Sequence, residues 1–186
     1  ACADEFLTPE SAAICARERA AGRAPVTMAN AERAILARLR AMREEDFAPF
    51  DGGGEGLYHR FYDAVQRETT IEDILAAAKS KRYAYARLRR LLLAAYLGVT
   101  PEDIPQRVPY LRELACNTRG REVLRCMKTT AAAPVLTRSA DVRRLDEGAQ
   151  RLFALTARAE EQNTLAYPSL AAAKPGSAWT TTPVIL

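Results

Sequence analysis

The stretch from residue 79 to residue 98 constrains the fold of this chain more than any other, because it carries two opposed kinds of side chain at helical spacing. At about 100° per residue, its apolar members fall on one side of a helical wheel and its cations on the opposite arc. The apolar side consists of Leu88, Leu91, Leu92, Ala95 and Tyr96. Such a helix buries its leucines in a core, and Gly98 is typical of the residue that ends it.

The charge of the same stretch is one-sided. Residues 79–90 contain six cations and no acid, although the 186-residue chain has a net charge of only +4. No carboxylate occurs between Asp73 and Glu102. Acids nearby in the sequence therefore do not cancel the positive field. This favours an anionic partner, and RNA is the leading candidate. The alternative is a solvated basic face that pairs with acids elsewhere in the fold.

The expected RNA contacts are the cations and one aromatic ring of this stretch. Arginine donates two parallel hydrogen bonds to a phosphate, and a tyrosine ring can stack on an unpaired base. Tyr83 and Tyr85 point to opposite sides of the predicted helix, which leaves Tyr83 for a ligand and Tyr85 for packing. The N-terminal end, Lys79 to Arg82, adds helix-dipole attraction for an anion. The predicted RNA-binding site is Lys79, Lys81, Arg82, Tyr83, Arg87, Arg89 and Arg90.

The rest of the pattern predicts further helices with recognisable caps. Thr8 followed by Pro9 indicates a helix start, and Gly22 indicates its end. Asn30 and Thr70 are the expected caps of two later helices.

Breaks and short apolar runs complete the predicted organisation. A glycine run at 52–54 breaks the chain, and short apolar runs on either side of a helical stretch at 117–128 leave room for a strand–helix–strand unit. The tail from Pro168 is expected to be an extended strap, which either lies across its own core or exposes Trp179 and its apolar end to a partner. The predicted fold class is mainly α, a helical domain with that small unit. Its segments are residues 1–50 (N-terminal and helical), 51–167 (basic and helical) and 168–186 (the tail).

Several function classes lack support in the sequence. Cys2, Cys15, Cys116 and Cys126 have no C-x-x-C spacing, so no metal site is predicted. His59, the one histidine, has no cysteine or aspartate at catalytic spacing, so no catalytic residue is predicted. No apolar run approaches the roughly 20 residues of a membrane span, and no signal peptide is recognisable, so a cytoplasmic protein is expected. The oligomeric state stays open.

Several ordered motifs resemble the bacterial tRNA(Met) cytidine acetate ligase family. The resemblance extends from about residue 30 to residue 137, and is looser at both ends. Where the family has threonines in the basic motif, this chain has Ser80 and Ala84. The motifs that carry it are Glu55-Gly56-Leu57-Tyr58-His59-Arg60-Phe61-Tyr62, Lys79-Ser80-Lys81-Arg82-Tyr83, Ala86-Arg87-Leu88-Arg89-Arg90-Leu91-Leu92, Pro109-Tyr110-Leu111-Arg112, Asn117 with Gly120-Arg121, and Ala133-Pro134-Val135-Leu136-Thr137.

The resemblance implies a two-part enzyme. In that family an N-terminal Rossmann-like domain with a His-x-Gly-His motif binds ATP and activates acetate as acetyl-adenylate. The product is N4-acetylcytidine at the wobble position of elongator tRNA(Met), and the helical C-terminal half is implied to hold the tRNA.

The same resemblance predicts which half this chain represents. Because His59 is the single histidine, no His-x-Gly-His motif occurs in these 186 residues, and no glycine-rich phosphate loop is recognisable either. The chain is therefore expected to be the family's C-terminal helical half only, tRNA-binding, without a nucleotidyltransferase-like catalytic domain, without a bound cofactor, and inactive alone. Its expected partners are tRNA and a separate catalytic half. The alternative is a structural module that docks a catalytic subunit through the same arginines.

Overall fold

The computed structural model describes residues 6–51 and 56–186, which fall into two compact units. Unit 1 comprises residues 1–101 and 161–175, and unit 2 comprises residues 102–160 and 176–186. The segment boundaries expected after residues 50 and 167 both lie inside unit 1. The predicted glycine break at 52–54 lies outside the described residues.

Helices supply most of the regular structure in the described ranges, and none of these helices is long and apolar enough to cross a membrane. Short 3₁₀ turns at 44–47, 101–103, 139–144 and 170–172 connect several of the elements. The helices are α1 (Pro9–Ala20), α2 (Glu32–Arg40), α3 (Ala48–Asp51), α4 (Leu57–Arg67), α5 (Ile71–Ala78), α6 (Tyr85–Leu97), α7 (Thr118–Thr130), α8 (Glu147–Thr164) and α9 (Ser177–Thr180). The strands are β1 (Leu111–Arg112), β2 (Ala115–Cys116), β3 (Val135–Leu136) and β4 (Val184–Ile185).

Three of the predicted helix boundaries are confirmed. The Thr8 hydroxyl accepts a hydrogen bond from the backbone N–H of Ser11, and Pro9 is the first residue of α1. The Thr70 hydroxyl caps α5 in the same way through the N–H of Asp73. Gly98 ends α6 with a φ of 68°, in the left-handed region that glycine adopts without a steric penalty.

The predicted cap at Asn30 is wrong. α2 begins after Ala31, and no side chain caps its first turn. The Asn30 amide instead donates hydrogen bonds to the carbonyl oxygens of Pro25 (3.0 Å) and Ala166 (2.9 Å). The second acceptor is far away in sequence, so a local capping rule could not foresee that it would compete for the side chain.

The core of unit 1 is built from one face of each of α2, α4, α5 and α6. The stripe predicted for α6 is confirmed, because all five of its apolar members are buried. This packing turns the opposite side of α6 towards solvent. Among the largest fully buried side chains are Ile35, Leu39, Phe47, Leu57, Phe61, Ile74, Leu75, Leu88 and Leu92.

The expected mainly α fold is wrong, because unit 2 is organised around parallel strands and has α/β character. β1 pairs with β3 and β2 pairs with β4, both in parallel, so that Leu111 lies beside Val135 and Cys116 beside Ile185. The strand–helix–strand unit for which the sequence leaves room is present: the helix expected at 117–128 is α7, on the connection between β1 and β3. Each strand has only two residues, too few to show the alternation that marks a strand, and the β2 partner lies near residue 186.

The tail from Pro168 is extended only in part. It contains the four-residue helix α9 as well as β4. The Trp179 ring packs edge-on against Phe153 with 4.8 Å between ring centroids, although the residue stays 47% exposed. Val184, Ile185 and Leu186 stay more than half exposed. The tail therefore lies against unit 2 through Trp179 and β4 and still exposes much of its apolar surface.

The cap of α5 gives a direct test of how unit 1 is stabilised. We expect Thr70→Ala to lower the free energy of unfolding by about 1 kcal/mol, because the N–H of Asp73 loses its acceptor. Urea denaturation followed by far-UV circular dichroism measures the change. Thr69→Ala is the matched control, since Thr69 is exposed and does not cap the helix. Equal transition midpoints for the two variants would contradict this assignment.

Candidate nucleic-acid interface

The predicted basic helix begins later than the sequence pattern indicates. α6 starts at Tyr85, and Ala84 is its extended N-cap. Residues 79–84 form a turn that the Ser80 hydroxyl stabilises by accepting hydrogen bonds from the N–H groups of Arg82 (3.2 Å) and Tyr83 (3.3 Å). Serine competes in this way with helical hydrogen bonding. Lys79 to Arg82 therefore lie before α6. They do not form the N-terminal turn of a helix, so the helix-dipole attraction for an anion that was predicted for this turn is wrong.

Arg60 holds this turn against the end of α5. Its guanidinium donates hydrogen bonds to the carbonyl oxygens of Ala77 (2.9 Å), Ala78 (2.9 Å) and Lys79 (3.2 Å). These are carbonyl groups that the end of an α-helix leaves without intrahelical partners. The sequence interpretation missed this role of Arg60, because the two segments are 17 to 19 residues apart.

The roles predicted for the two tyrosines are reversed. Tyr83 is 7% exposed and belongs to the core of unit 1, whereas Tyr85 is 38% exposed. The prediction assumed one continuous helix through both residues. Because a turn precedes residue 85, the helical rotation does not relate the two side chains. Tyr83 is thus a packing residue, and Tyr85 is the ring that a ligand can reach.

Two cations lie over the exposed ring of Tyr85. The Lys79 ammonium lies 5.3 Å from its centroid and the Arg89 guanidinium 6.0 Å. Arg89 stands one helical turn after Tyr85, a spacing at which side chains on a helix meet. That i, i+4 spacing was the sequence signal that could have identified Tyr85 as part of the site. Contacts of this kind stabilise the cations over the ring face.

Arg87 is engaged inside unit 1. It donates to the backbone oxygen of Asp51 at 3.2 Å and lies 3.4 Å from the Asp51 carboxylate, which is buried. The other carboxylate oxygen of Asp51 accepts the N–H of Leu57 at the start of α4. The Arg87 guanidinium also lies 5.4 Å from the Tyr83 ring centroid. Arg87, one of the seven predicted RNA contacts, thus forms an internal ion pair. For this residue the alternative prediction, a cation that pairs with an acid elsewhere in the fold, agrees with the structure.

The remaining predicted cations form an exposed surface around Tyr85. All of them are exposed, and in the described ranges 6–51 and 56–186 none takes part in an ion pair. Chemically, this arrangement offers phosphate donors around one stacking ring. The α6 basic surface is defined here as Lys79, Lys81, Arg82, Tyr85, Arg89 and Arg90.

His59 lies in an ordinary surface environment. Its Nδ1 is 2.5 Å from a carboxylate oxygen of Glu44, and both side chains are exposed. Its ring also packs against Tyr58, with 3.9 Å between ring centroids. Within the part of the chain that the structure describes, no group of three histidine, cysteine or acidic side chains is arranged to hold a metal ion.

Comparisons with known proteins agree on one family. The model of the HIGH Nucleotidyl Transferase family matches residues 2–176. A tRNA(Met) cytidine acetate ligase from Kosmotoga olearia is 36% identical over 131 residues, which cover 68% of this chain and 31% of the relative. The enzyme of the same name from Syntrophomonas wolfei is 27% identical over 187 residues, covering 96% of this chain and 45% of the relative.

A solved structure has the same fold. The crystal structure of Thermotoga maritima TmcAL in its apo form matches with a TM-score of 0.90 at 26% identity, and covers 97% of this chain and 46% of that one. A second crystal form of that protein, bound with alpha-thio ATP, also matches with a TM-score of 0.90. The chain thus spans between about a third and just under half of the length of these relatives.

These comparisons correct the function predicted from sequence. The expectation of a C-terminal, tRNA-binding half that lacks the nucleotidyltransferase domain is wrong, because that family's model covers nearly the whole chain. A separate catalytic half or subunit as partner is not supported either. The error came from using one motif, His-x-Gly-His, as the test for an entire domain, whereas a family model weighs the pattern of side chains along its full length.

The internal ion pair can be tested by its effect on stability. We expect Arg87→Met to lower the free energy of unfolding by about 1–3 kcal/mol, since the buried Asp51 carboxylate loses a charged partner. Arg90→Met is the matched control on the same helix; Arg90 is exposed, and its replacement should change stability by less than about 0.5 kcal/mol. Urea denaturation measures both. Similar losses for the two variants would show that Arg87 has no special structural role.

Proposed function

The chain belongs to the HIGH nucleotidyl transferase family, and we propose that it acts on tRNA(Met) as a cytidine acetate ligase, the activity that its relatives' name describes. The α6 basic surface contacts the phosphates of that tRNA. A tRNA substrate places this activity in the cytoplasm.

The observation that carries the proposal is the set of exposed, uncompensated cations on one surface. Lys81, Arg82 and Arg90 are exposed and, among the described residues, have no carboxylate within ion-pair distance. The buried leucines of α6 fix the position of Arg90, and Arg60 and Ser80 fix the turn that carries the other two. The backbone that carries these cations is thus fixed before phosphate binds, which lowers the entropic cost of binding.

Tyr85 adds a contact of a different kind. Its ring is exposed, and Lys79 and Arg89 lie over it, so that a base stacked on this ring would take the place of a cation there, with both cations close by. Stacking on an aromatic side chain is the usual way in which proteins hold an unpaired base of RNA. We therefore assign an unpaired nucleotide of the tRNA to Tyr85, and phosphates to the surrounding cations.

The binding of ATP concerns different sequence features from the binding of tRNA. Alpha-thio ATP is bound in the crystal structure of the Thermotoga maritima protein. In this chain the sequence contains neither His-x-Gly-His nor a glycine-rich phosphate loop. We propose that these 186 residues hold no ATP by themselves, in which case the ATP for the proposed ligase reaction would be held outside them; equilibrium dialysis with ATP is the direct measurement.

Charge reversal on the α6 basic surface tests the proposed tRNA contact. We expect Lys81→Glu with Arg90→Glu to weaken binding of a tRNA(Met) transcript by at least about tenfold near physiological salt. The salt dependence of log K should become shallower by about two, because two phosphate contacts are lost. Fluorescence anisotropy over a range of salt concentrations measures both quantities.

The matched control is Arg33→Glu with Arg38→Glu. Both residues are exposed on α2 of unit 1, and the change in net charge is the same. This control should lose less affinity and keep the wild-type salt dependence. If both double variants behave alike, the interaction is a general charge effect and the assignment to α6 fails.

Replacement of the exposed ring tests the stacking contact. We expect Tyr85→Ala to weaken tRNA(Met) binding by about 1–3 kcal/mol, the range for loss of one base–aromatic stack, while Tyr85→Phe retains the affinity. The same anisotropy measurement at constant salt compares the two. Equal losses in the alanine and phenylalanine variants would mean that the hydroxyl, not the ring face, makes the contact.

A further inference from the structure

A second basic surface lies in unit 2. An open groove of about 500 Å³ is bordered by α7, by the ends of β2 and β4, and by the segment after β3. Four of its lining residues are cations: Arg121, Arg125 and Lys128 from α7, and Arg138 beyond β3. None of these four belongs to the α6 basic surface.

The three cations of α7 stand on one face of the helix. At about 100° per residue, positions 121, 125 and 128 fall within an arc of about 60°. At a rise of about 1.5 Å per residue, they form a row about 10 Å long. A row of this length fits an extended polyanion better than a single phosphate group. Arg121 also lies near the N-terminal end of α7, where the helix dipole adds to the positive field.

The four groove cations form no ion pair with the carboxylates of unit 2 that the structure describes. In the same unit Arg112 pairs with Glu160 at 3.2 Å, and Arg144 lies 3.9 Å from Asp141. By contrast, no carboxylate of the described residues forms an ion pair with any of the four groove cations. The positive charge of the groove is therefore available to a ligand.

The groove also contains an acid. Glu113 is the only one among the described residues that line it, and it lies beside Cys116. A hydrogen bond between Glu113 and the Cys116 thiol raises the pKa of that thiol above its ordinary value; desolvation and the charge of Glu113 act in the same direction, and Arg121 opposes them. Cys116 is therefore a protonated thiol at neutral pH. Beside it, Leu124 and Ile185 supply apolar surface for the sugar or base of a nucleotide.

We propose that this groove of unit 2 binds the phosphodiester backbone of RNA, as a second contact with the tRNA beside that of the α6 basic surface. The inference rests on the proposed function for the identity of the RNA, but on a different set of residues. A row of unpaired cations above a partly apolar floor is the arrangement that holds a nucleic-acid strand without reading its sequence.

Charge reversal in the groove is the test. Arg125→Glu with Lys128→Glu is expected to weaken binding of a tRNA(Met) transcript by at least about tenfold, with a salt dependence shallower by about two. Arg119→Glu with Arg158→Glu is the matched control. Both control residues are exposed in unit 2 and do not line the groove, and Arg119 lies on the opposite side of α7. The control is expected to retain wild-type salt dependence.

The outcomes separate this inference from the proposed function. Wild-type binding by the groove variant, together with loss of binding by the Lys81 and Arg90 variant, overturns the groove and leaves the α6 contact standing. Loss in the groove variant alone supports the groove and rejects the α6 assignment. Absence of tRNA binding by the unaltered chain overturns both.

Three further measurements distinguish a lost contact from other causes of weaker binding. Thermal unfolding followed by circular dichroism shows whether the groove variant is folded. Arg125→Ala with Lys128→Ala should give a smaller loss of tRNA affinity in the same direction.

ATP is the competing ligand to measure, because a groove specific for free nucleotide would lose ATP binding but keep RNA binding on charge reversal. That result would overturn the assignment to RNA.

Discussion

A buried carboxylate, Asp51, holds together the part of unit 1 that carries the α6 basic surface. One of its oxygens accepts the N–H of Leu57 at the start of α4, and the other lies near Arg87 on α6. A buried charge is tolerated only with a partner and hydrogen bonds, so this carboxylate restricts where α6 can lie relative to α4. With Leu88, Leu91 and Leu92 of α6 buried, the cations at 89 and 90 face solvent. The internal pair at Arg87 and the exposed surface are therefore parts of one arrangement.

Local signals in the sequence were sufficient for some features of the fold. Thr8, Thr70 and Gly98 were identified as caps because a cap depends on hydrogen bonds and backbone angles within one helical turn. The buried face of α6 was equally predictable, because a period of 3.6 residues is visible within a single segment. These are interactions between residues that are close in sequence.

Distant interactions account for what was missed. Asn30 was assigned to a cap because nothing near it revealed the carbonyl of Ala166 as an acceptor. β1 and β3 were anticipated only as parts of a possible strand–helix–strand unit, because two-residue segments show no period, and the pairing of β2 with β4 was missed because β4 lies far along the chain. At the candidate site, one serine-stabilised turn changed which tyrosine is accessible. This error affected the predicted tyrosine more than the predicted cations. Most of the cations are still exposed, because long charged side chains reach solvent from many backbone positions.

Lys79 shows how the site is arranged before any ligand arrives. Its carbonyl oxygen accepts a hydrogen bond from Arg60, while its ammonium group lies over the ring of Tyr85. Backbone and side chain of one residue are thus restrained at the same time by two different helices. A surface of this kind is preorganised, so association with a polyanion does not require a folding step, and the entropy lost on binding is reduced. Fast, electrostatically steered encounter and only a small heat-capacity change from the protein are the kinetic and calorimetric signatures of such a surface.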